Sequence, residues 1–157
     1  MLTFDENLLV VLPPSLGTIT SIEKLSFKGN PVESPPQEIV DRGTSAIMSY
    51  LRRLFVANLT QRLDLSFQGI TMLHVSICKL SNVVFLSIDD NLCETLPREI
   101  YHLVHLTELT LQRNKLTSLP GSLGRMTNLE VLILEPLPLC CCWPVLGLHL
   151  GLGFDGC

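Results

Sequence analysis

NLTQRLDLSFQGITMLHVSICKL (58–80), SNVVFLSIDDNLCETLPREIYHL (81–103) and VHLTELTLQRNKLTSLPGSLGRM (104–126) are consecutive 23-residue blocks that align without a gap. Leu63, Leu86, Leu109 and Leu132 share one phase, and Leu65, Ile88, Leu111 and Leu134 follow two positions later. A fixed period of this length is the mark of a solenoid, whose units bury their apolar face only by stacking on their neighbours. Within a block, Val83, Leu86 and Ile88 alternate with Phe85, Ser87 and Asp89, which predicts a short strand with one buried face. Asn91 follows Ile88 by three residues. Its amide can bond backbone groups of its own turn and of the next coil. Asn7, Asn30 and Asn114 hold the same place, and Gln68 substitutes in the block at 58–80.

Leu96-Pro97 closes the turn, as Leu12-Pro13 and Leu119-Pro120 do elsewhere. A proline there needs no backbone donor and keeps the path extended. Ile100 and Leu103 bring the chain back inside at near-helical spacing, and Cys93 takes the next inward site as a small apolar filler. One buried Leu or Ile contributes about 1.5–3 kcal/mol, against an ordering cost of about 1–2 kcal/mol per residue. No coil can therefore be stable alone.

This L-x-x-L-x-L-x-x-N-x-L-x-x-L-P pattern resembles the leucine-rich repeat family. Its length and its L-P-x-x-[IL]-x-x-L second half are similar to the intracellular type of Ras-pathway scaffolds, Scribble-like polarity proteins and plant intracellular relatives. The resemblance covers about 2–39 and 58–134. It implies an α/β repeat solenoid: an arc with short parallel strands on the concave face, an irregular or short-helical convex side, and a role in binding other proteins.

Two stretches break the period. Leu25 and Leu63 are 38 residues apart, so about 15 extra residues separate two repeat groups. Ile39, Val40, Gly43, Ile47, Tyr50, Leu51, Leu54 and Phe55 follow a 3–4 spacing there, with Ser34 as N-cap and Gln37 as its capping-box partner. These residues predict an amphipathic helix packed on the solenoid. The stretch also resembles the segment that often closes an array in this family, although here more repeats follow it. The organisation expected is partial repeats over 1–39, a helical insertion over 36–57, repeats over 58–134 and an apolar, cysteine-rich tail over 135–157. The frame begins inside a coil at Leu2, with no polar cap before it, which reads as a fragment or shortened product. The tail, PLPLCCCWPVLGLHLGLGFDGC, reads foremost as sequence from alternative splicing or a premature end. Acylation at Cys140–Cys142 and a short membrane span are the alternatives.

Composition narrows the function classes. The chain has 157 residues, 46% hydrophobic, with a net charge of −4 and no run of either sign, so a nucleic-acid partner is not expected. The N-terminus lacks the basic leader of a secretory signal, and six cysteines with three consecutive are poorly spaced for a disulfide framework. Both point to a reduced, cytoplasmic chain. Glu99, His102 and His105 are spaced three apart but supply too few convergent ligands for zinc. Neither a nucleophile elbow nor a phosphate loop is present. No enzyme activity, metal or cofactor is expected.

If Leu65, Ile88 and Leu111 face inward, their strand neighbours face the concave side. The rows are then Lys24, Ser26 and Lys28; Arg62, Asp64 and Ser66 with Phe67 at the edge; Phe85, Ser87, Asp89 and Asp90; and Glu108, Thr110, Gln112 and Arg113. Stacked about 4.8 Å apart, they should form a continuous ribbon with Phe67 and Phe85 as aromatic anchors. The function expected is a non-catalytic interaction module or scaffold in intracellular signalling. A small GTPase or signalling complex is the partner class that the resemblance implies. The alternative is a recognition part of a larger enzyme, such as a GTPase–kinase or ubiquitin-ligase subunit. On this frame Leu109→Asp should unfold the coils, while Asp89→Ala should leave the fold intact.

Overall fold

A computed structural model describes residues 1–134, and the tail expected over 135–157 lies outside them. Six short strands recur at the predicted phase: β1 (Leu2–Thr3), β2 (Leu25–Ser26), β3 (Arg62–Asp64), β4 (Phe85–Ser87), β5 (Glu108–Thr110) and β6 (Val131–Ile133). All pair in parallel, and the register is the repeat itself: Leu63 lies beside Leu86, Leu86 beside Leu109 and Leu109 beside Leu132. The leucines at 63, 86 and 109 are fully buried. The architecture is a leucine-rich-repeat solenoid.

On the side opposite the strands the chain turns in 3-10 helices at Pro14–Thr18, Ile77–Lys79, Arg98–His102 and Gly121–Arg125. Three start directly after an extended proline, Pro13, Pro97 or Pro120. Fixing φ near −65° ends the preceding segment and starts the tight turn. The block at 58–80 has His74 at that position, and its Nδ1 accepts the Ser76 amide at 3.2 Å instead. The thiols of Cys78 and Cys93 are buried inside these coils, and burial pushes both up to about 11. A thiol of that kind is a packing group and a poor nucleophile.

The strands do not form one sheet. β1 and β2 pair with each other, β3 to β6 form a second sheet, and the helical insertion lies between them in sequence. The helical insertion predicted over 36–57 is two helices, α1 (Gln37–Val40) and α2 (Thr44–Thr60). The break falls at Gly43, whose φ of 86° suits glycine and interrupts helical hydrogen bonding. α1 is preceded by Pro36 with no side-chain cap, so Ser34 does not act as the expected N-cap. α2 buries Ile47, Tyr50, Leu51, Leu54 and Ala57 along one stripe, the apolar face that the spacing predicts.

α2 packs backbone to backbone on the first coil. A Cβ at Gly17 would stand 2.3 Å from the Arg52 nitrogen and 2.7 Å from the Leu51 carbonyl carbon. The Arg52 Nε donates to the Gly17 carbonyl at 3.1 Å. Gly17→Ala should therefore push the helix off the coil at a cost of about 2–3 kcal/mol. Amide hydrogen exchange is the check: protection should fall across β1, β2 and α2 and persist across β3 to β6.

The insertion is tied to the second array by side chains. The Arg42 guanidinium donates to the Gln68 carbonyl at 2.8 Å, and that of Arg53 to the Asp64 carbonyl at 2.7 Å. The Glu38 carboxylate accepts the Thr71 amide at 3.1 Å and the Thr71 hydroxyl. Partial burial opposes ionisation of Glu38, but the bonds from Thr71 keep its carboxyl below the usual range.

Candidate interaction surface

An amide column holds the strand face together. Asn91 is 4% exposed. Its Oδ1 accepts the Gln68 and Ile70 amides at 3.0 and 3.2 Å, and its Nδ2 donates to the carbonyls of Leu65, Ile88 and Asp89. Asn114 reaches back to the Cys93 amide and the Ile88 carbonyl, and Asn30 to the Leu9 amide and the Phe4 carbonyl. Each amide thus serves its own turn and the preceding coil, not the following one as expected. Gln68, whose predecessor is a helix, bonds only the Ser66 carbonyl of its own turn.

The residue before each of these amides lies in the left-handed region: Glu6 at φ 55°, Gly29 at 72°, Phe67 at 59°, Asp90 at 55° and Arg113 at 51°. The chain turns out of the strand there, and the Asn side chain supplies the bonds that the turn leaves open. Only one of the five is glycine. For a bulky side chain such as Phe67 this region is an outlier, typically costing about 1–2 kcal/mol.

The predicted rows fall into three groups. Lys24, Lys28, Arg62, Asp64, Phe67 and Arg113 are exposed, with Phe67 at 71%. Ser26, Phe85, Asp89, Asp90, Glu108 and Gln112 are half-buried. Ser66, Ser87 and Thr110, expected to face solvent, are buried at 9%, 5% and 6%. Hydroxyl side chains are short, and the longer side chains of the adjacent rows leave them little water-accessible surface. Ser66 and Ser87 share a hydrogen bond of 2.7 Å between hydroxyls, and the Thr110 hydroxyl donates to Asp89 at 3.0 Å. They are bonds between rows and offer no contact area. The ribbon is also discontinuous: the Lys24, Ser26 and Lys28 row belongs to the β1–β2 sheet and the other rows to β3–β6.

Several expected surface groups lock onto each other. The Arg62 guanidinium lies 3.8 Å over the Phe85 ring, within cation–π range. Arg113 donates two bonds to the Asp90 carboxylate across one repeat. Those bonds, with the guanidinium charge, hold the Asp90 carboxyl below its usual range. Asp89 is a clasp between coils, because its Oδ1 also accepts the Gln112 amide at 2.7 Å. Asp5 holds the equivalent place, accepting the Ser26 hydroxyl at 2.6 Å and the Lys28 amide at 2.8 Å. Asp89→Ala, expected to leave the fold intact, should therefore still lower its stability. Bonds to a carboxylate of this kind contribute about 1.5–3 kcal/mol. Asp5 was readable in the frame, since it and Asp89 both stand two residues before the asparagine. Arg53, 3.6 Å from the Asp64 carboxylate, was not readable, because it comes from the helix.

Among the described residues, no ion pair involves Lys24, Lys28 or Glu108. Phe67 is exposed just after β3, the strand whose Arg62 stacks on Phe85. Among the same residues no three His, Cys, Asp or Glu side chains gather as a metal site, and no helix is long and apolar enough to cross a membrane.

Known proteins carry the same architecture. The profile of the family described as leucine rich repeat matches residues 58–116. The chain is 36% identical over 129 residues to plant intracellular Ras-group-related LRR protein 8 of Oryza sativa subsp. japonica, covering 82% of this chain and 31% of that protein. It is 31% identical over 111 residues to leucine-rich repeat and IQ domain-containing protein 4 of Mus musculus, covering 70% of this chain and 16% of that one. The chain therefore spans a third or less of these relatives. Among solved structures, a leucine-rich repeat protein of Leptospira interrogans superposes with a TM-score of 0.52 at 29% identity, over 87% of this chain and 32% of that one. With the 23-residue register, the asparagine column and these likenesses together, the chain belongs to the leucine-rich repeat family.

Proposed function

We propose that this chain is a non-catalytic protein-binding module that grips a partner on the strand face of its second array. The observation that carries the reading is Phe67, a large aromatic ring 71% exposed and held in a backbone region that costs free energy. Strain kept at an exposed position points to use, and a large exposed aromatic side chain is a common binding anchor. A rigid repeated surface also binds with little ordering cost. The name of the rice relative, plant intracellular Ras-group-related LRR protein 8, supports an intracellular setting and a small GTPase or an assembly containing one as the partner class; we place the module in the cytoplasm.

Phe67→Gly separates binding from folding. Glycine relieves the left-handed conformation and loses chain entropy, so stability should change by no more than about 1 kcal/mol. Capture of partner proteins by the immobilised full chain should weaken about tenfold or more, whereas Leu59→Gly, on the exposed end of α2, should not change it. Unchanged capture by Phe67→Gly with an unchanged melting temperature would exclude this face. A purified small GTPase, added with GDP or with a GTP analogue, then tests the partner class.

A further inference from the structure

The discontinuity between the two sheets leaves specific hydrogen-bond donors open. In coil after coil the same two amides donate to the following coil. Phe4 and Glu6 donate to the Ser26 and Lys28 carbonyls at 2.8 and 2.7 Å. Leu65 and Phe67 donate to Ser87 and Asp89, and Ile88 and Asp90 to Thr110 and Gln112. In the β2 coil the equivalent donors are Phe27 and Gly29. Neither has an acceptor among the described residues: β2 is the last strand of its two-stranded sheet, and the chain passes from it into the helical insertion and not into a further strand. Leu25, two residues before Phe27, has its amide satisfied by the Thr44 hydroxyl at 3.1 Å.

Beside the two open amides lies a cleft of about 350 Å³, walled by Phe27, Gly29 and Val32 on one side and by Val40, Thr44 and Ile47 on the other. A second cleft of about 460 Å³ meets it at Thr44 and follows the chain back towards Ile19. Together they trace the path of a missing coil. Lys24 and Lys28 stand exposed in the same row, and the first turn of α2 has neither a side-chain cap nor an acidic residue. Of the nearby carboxylates, Asp5 is bonded to Ser26 and the Lys28 amide, Glu6 lies against Gly29, and Glu23 lines the second cleft beside Lys24.

We propose that this cleft is a second binding site, which takes a short extended peptide from another protein by strand addition to β2. The peptide runs parallel to β2 and offers two main-chain carbonyls, two residues apart, to the Phe27 and Gly29 amides. Main-chain bonds supply affinity in this mode and alternate side chains supply selectivity. Here one set of side chains is apolar and enters between Phe27, Val40 and Ile47. The other is acidic and lies beside Lys24 and Lys28. The site is separate from the strand face of β3 to β6.

Amide exchange of the full chain, read residue by residue, tests it with a defined probe. The probe is a blocked peptide of alternating Glu and Val, with its Lys–Val counterpart as control. In the free protein Phe27 and Gly29 should exchange fast. At about 1 mM Glu–Val peptide both should slow in a saturable way, and the Lys–Val peptide should protect them far less. Lys24→Glu with Lys28→Glu, two exposed changes, should reverse that preference, while Phe67→Gly should leave it intact. Absence of protection at Phe27 and Gly29, or equal protection by both peptides, would overturn the proposal. So would protection that grows with protein concentration alone, which would make a second copy of the chain the occupant.

Discussion

Asn91→Ala is expected to lower the unfolding free energy by about 3–5 kcal/mol, with the amides of Gln68 and Ile70 losing exchange protection first. Both amides have the Asn91 Oδ1 as their acceptor, and the residue is 4% exposed. Leaving a buried donor unsatisfied costs about 1–3 kcal/mol, and two are stranded here together with the carbonyl of Leu65. Asn7→Ala is the comparison. Its side chain is exposed and bonds only the Phe4 and Asp5 carbonyls of its own turn, so its loss should cost under about 1 kcal/mol. Chemical denaturation of the two variants measures the difference. Equal losses would show that the backward-reaching bonds do not hold the coils together.

Leu109→Asp should abolish the cooperative melt of the second array altogether. Leu109 is fully buried in β5 between Leu86 and Leu132, and an unpaired carboxylate there must be desolvated or protonated. The penalty exceeds about 5 kcal/mol, the lower end of total stability for a domain. Because repeats are stabilised chiefly by their immediate neighbours, β4 and β6 should lose their structure with β5. Glu108→Ala on the same strand is the control, and its half-buried side chain should cost about 0.5 kcal/mol or less. Circular dichroism and hydrogen exchange together read which coils remain.

The period of the leucines carried most of the architecture, because apolar groups that must stack leave a repeating trace in the sequence. Leu63, Leu86, Leu109 and Leu132 fall into register as that trace requires. The 3–4 spacing also located the buried stripe of α2. The split at Gly43 was not legible, since a glycine inside an apolar spacing pattern reads equally as a packing position. The candidate surface was only half legible. Alternation fixes which way a side chain points, and it does not fix whether water reaches it, so Ser66, Ser87 and Thr110 read as exposed from the pattern alone. The left-handed column was hidden because Glu6, Phe67, Asp90 and Arg113 share no residue type. The open amides of Phe27 and Gly29 depend on where the insertion settles, and no local pattern encodes that.

The backward reach of the asparagine side chains gives the stack a direction. Asn91 completes a coil whose Leu65 carbonyl was laid down 26 residues earlier, and Asn114 does the same for Ile88. During synthesis, then, a turn such as those at Gln68 and Asn91 is not finished when its own residues leave the ribosome. It waits for the amide of its successor, so assembly trails translation by about one repeat.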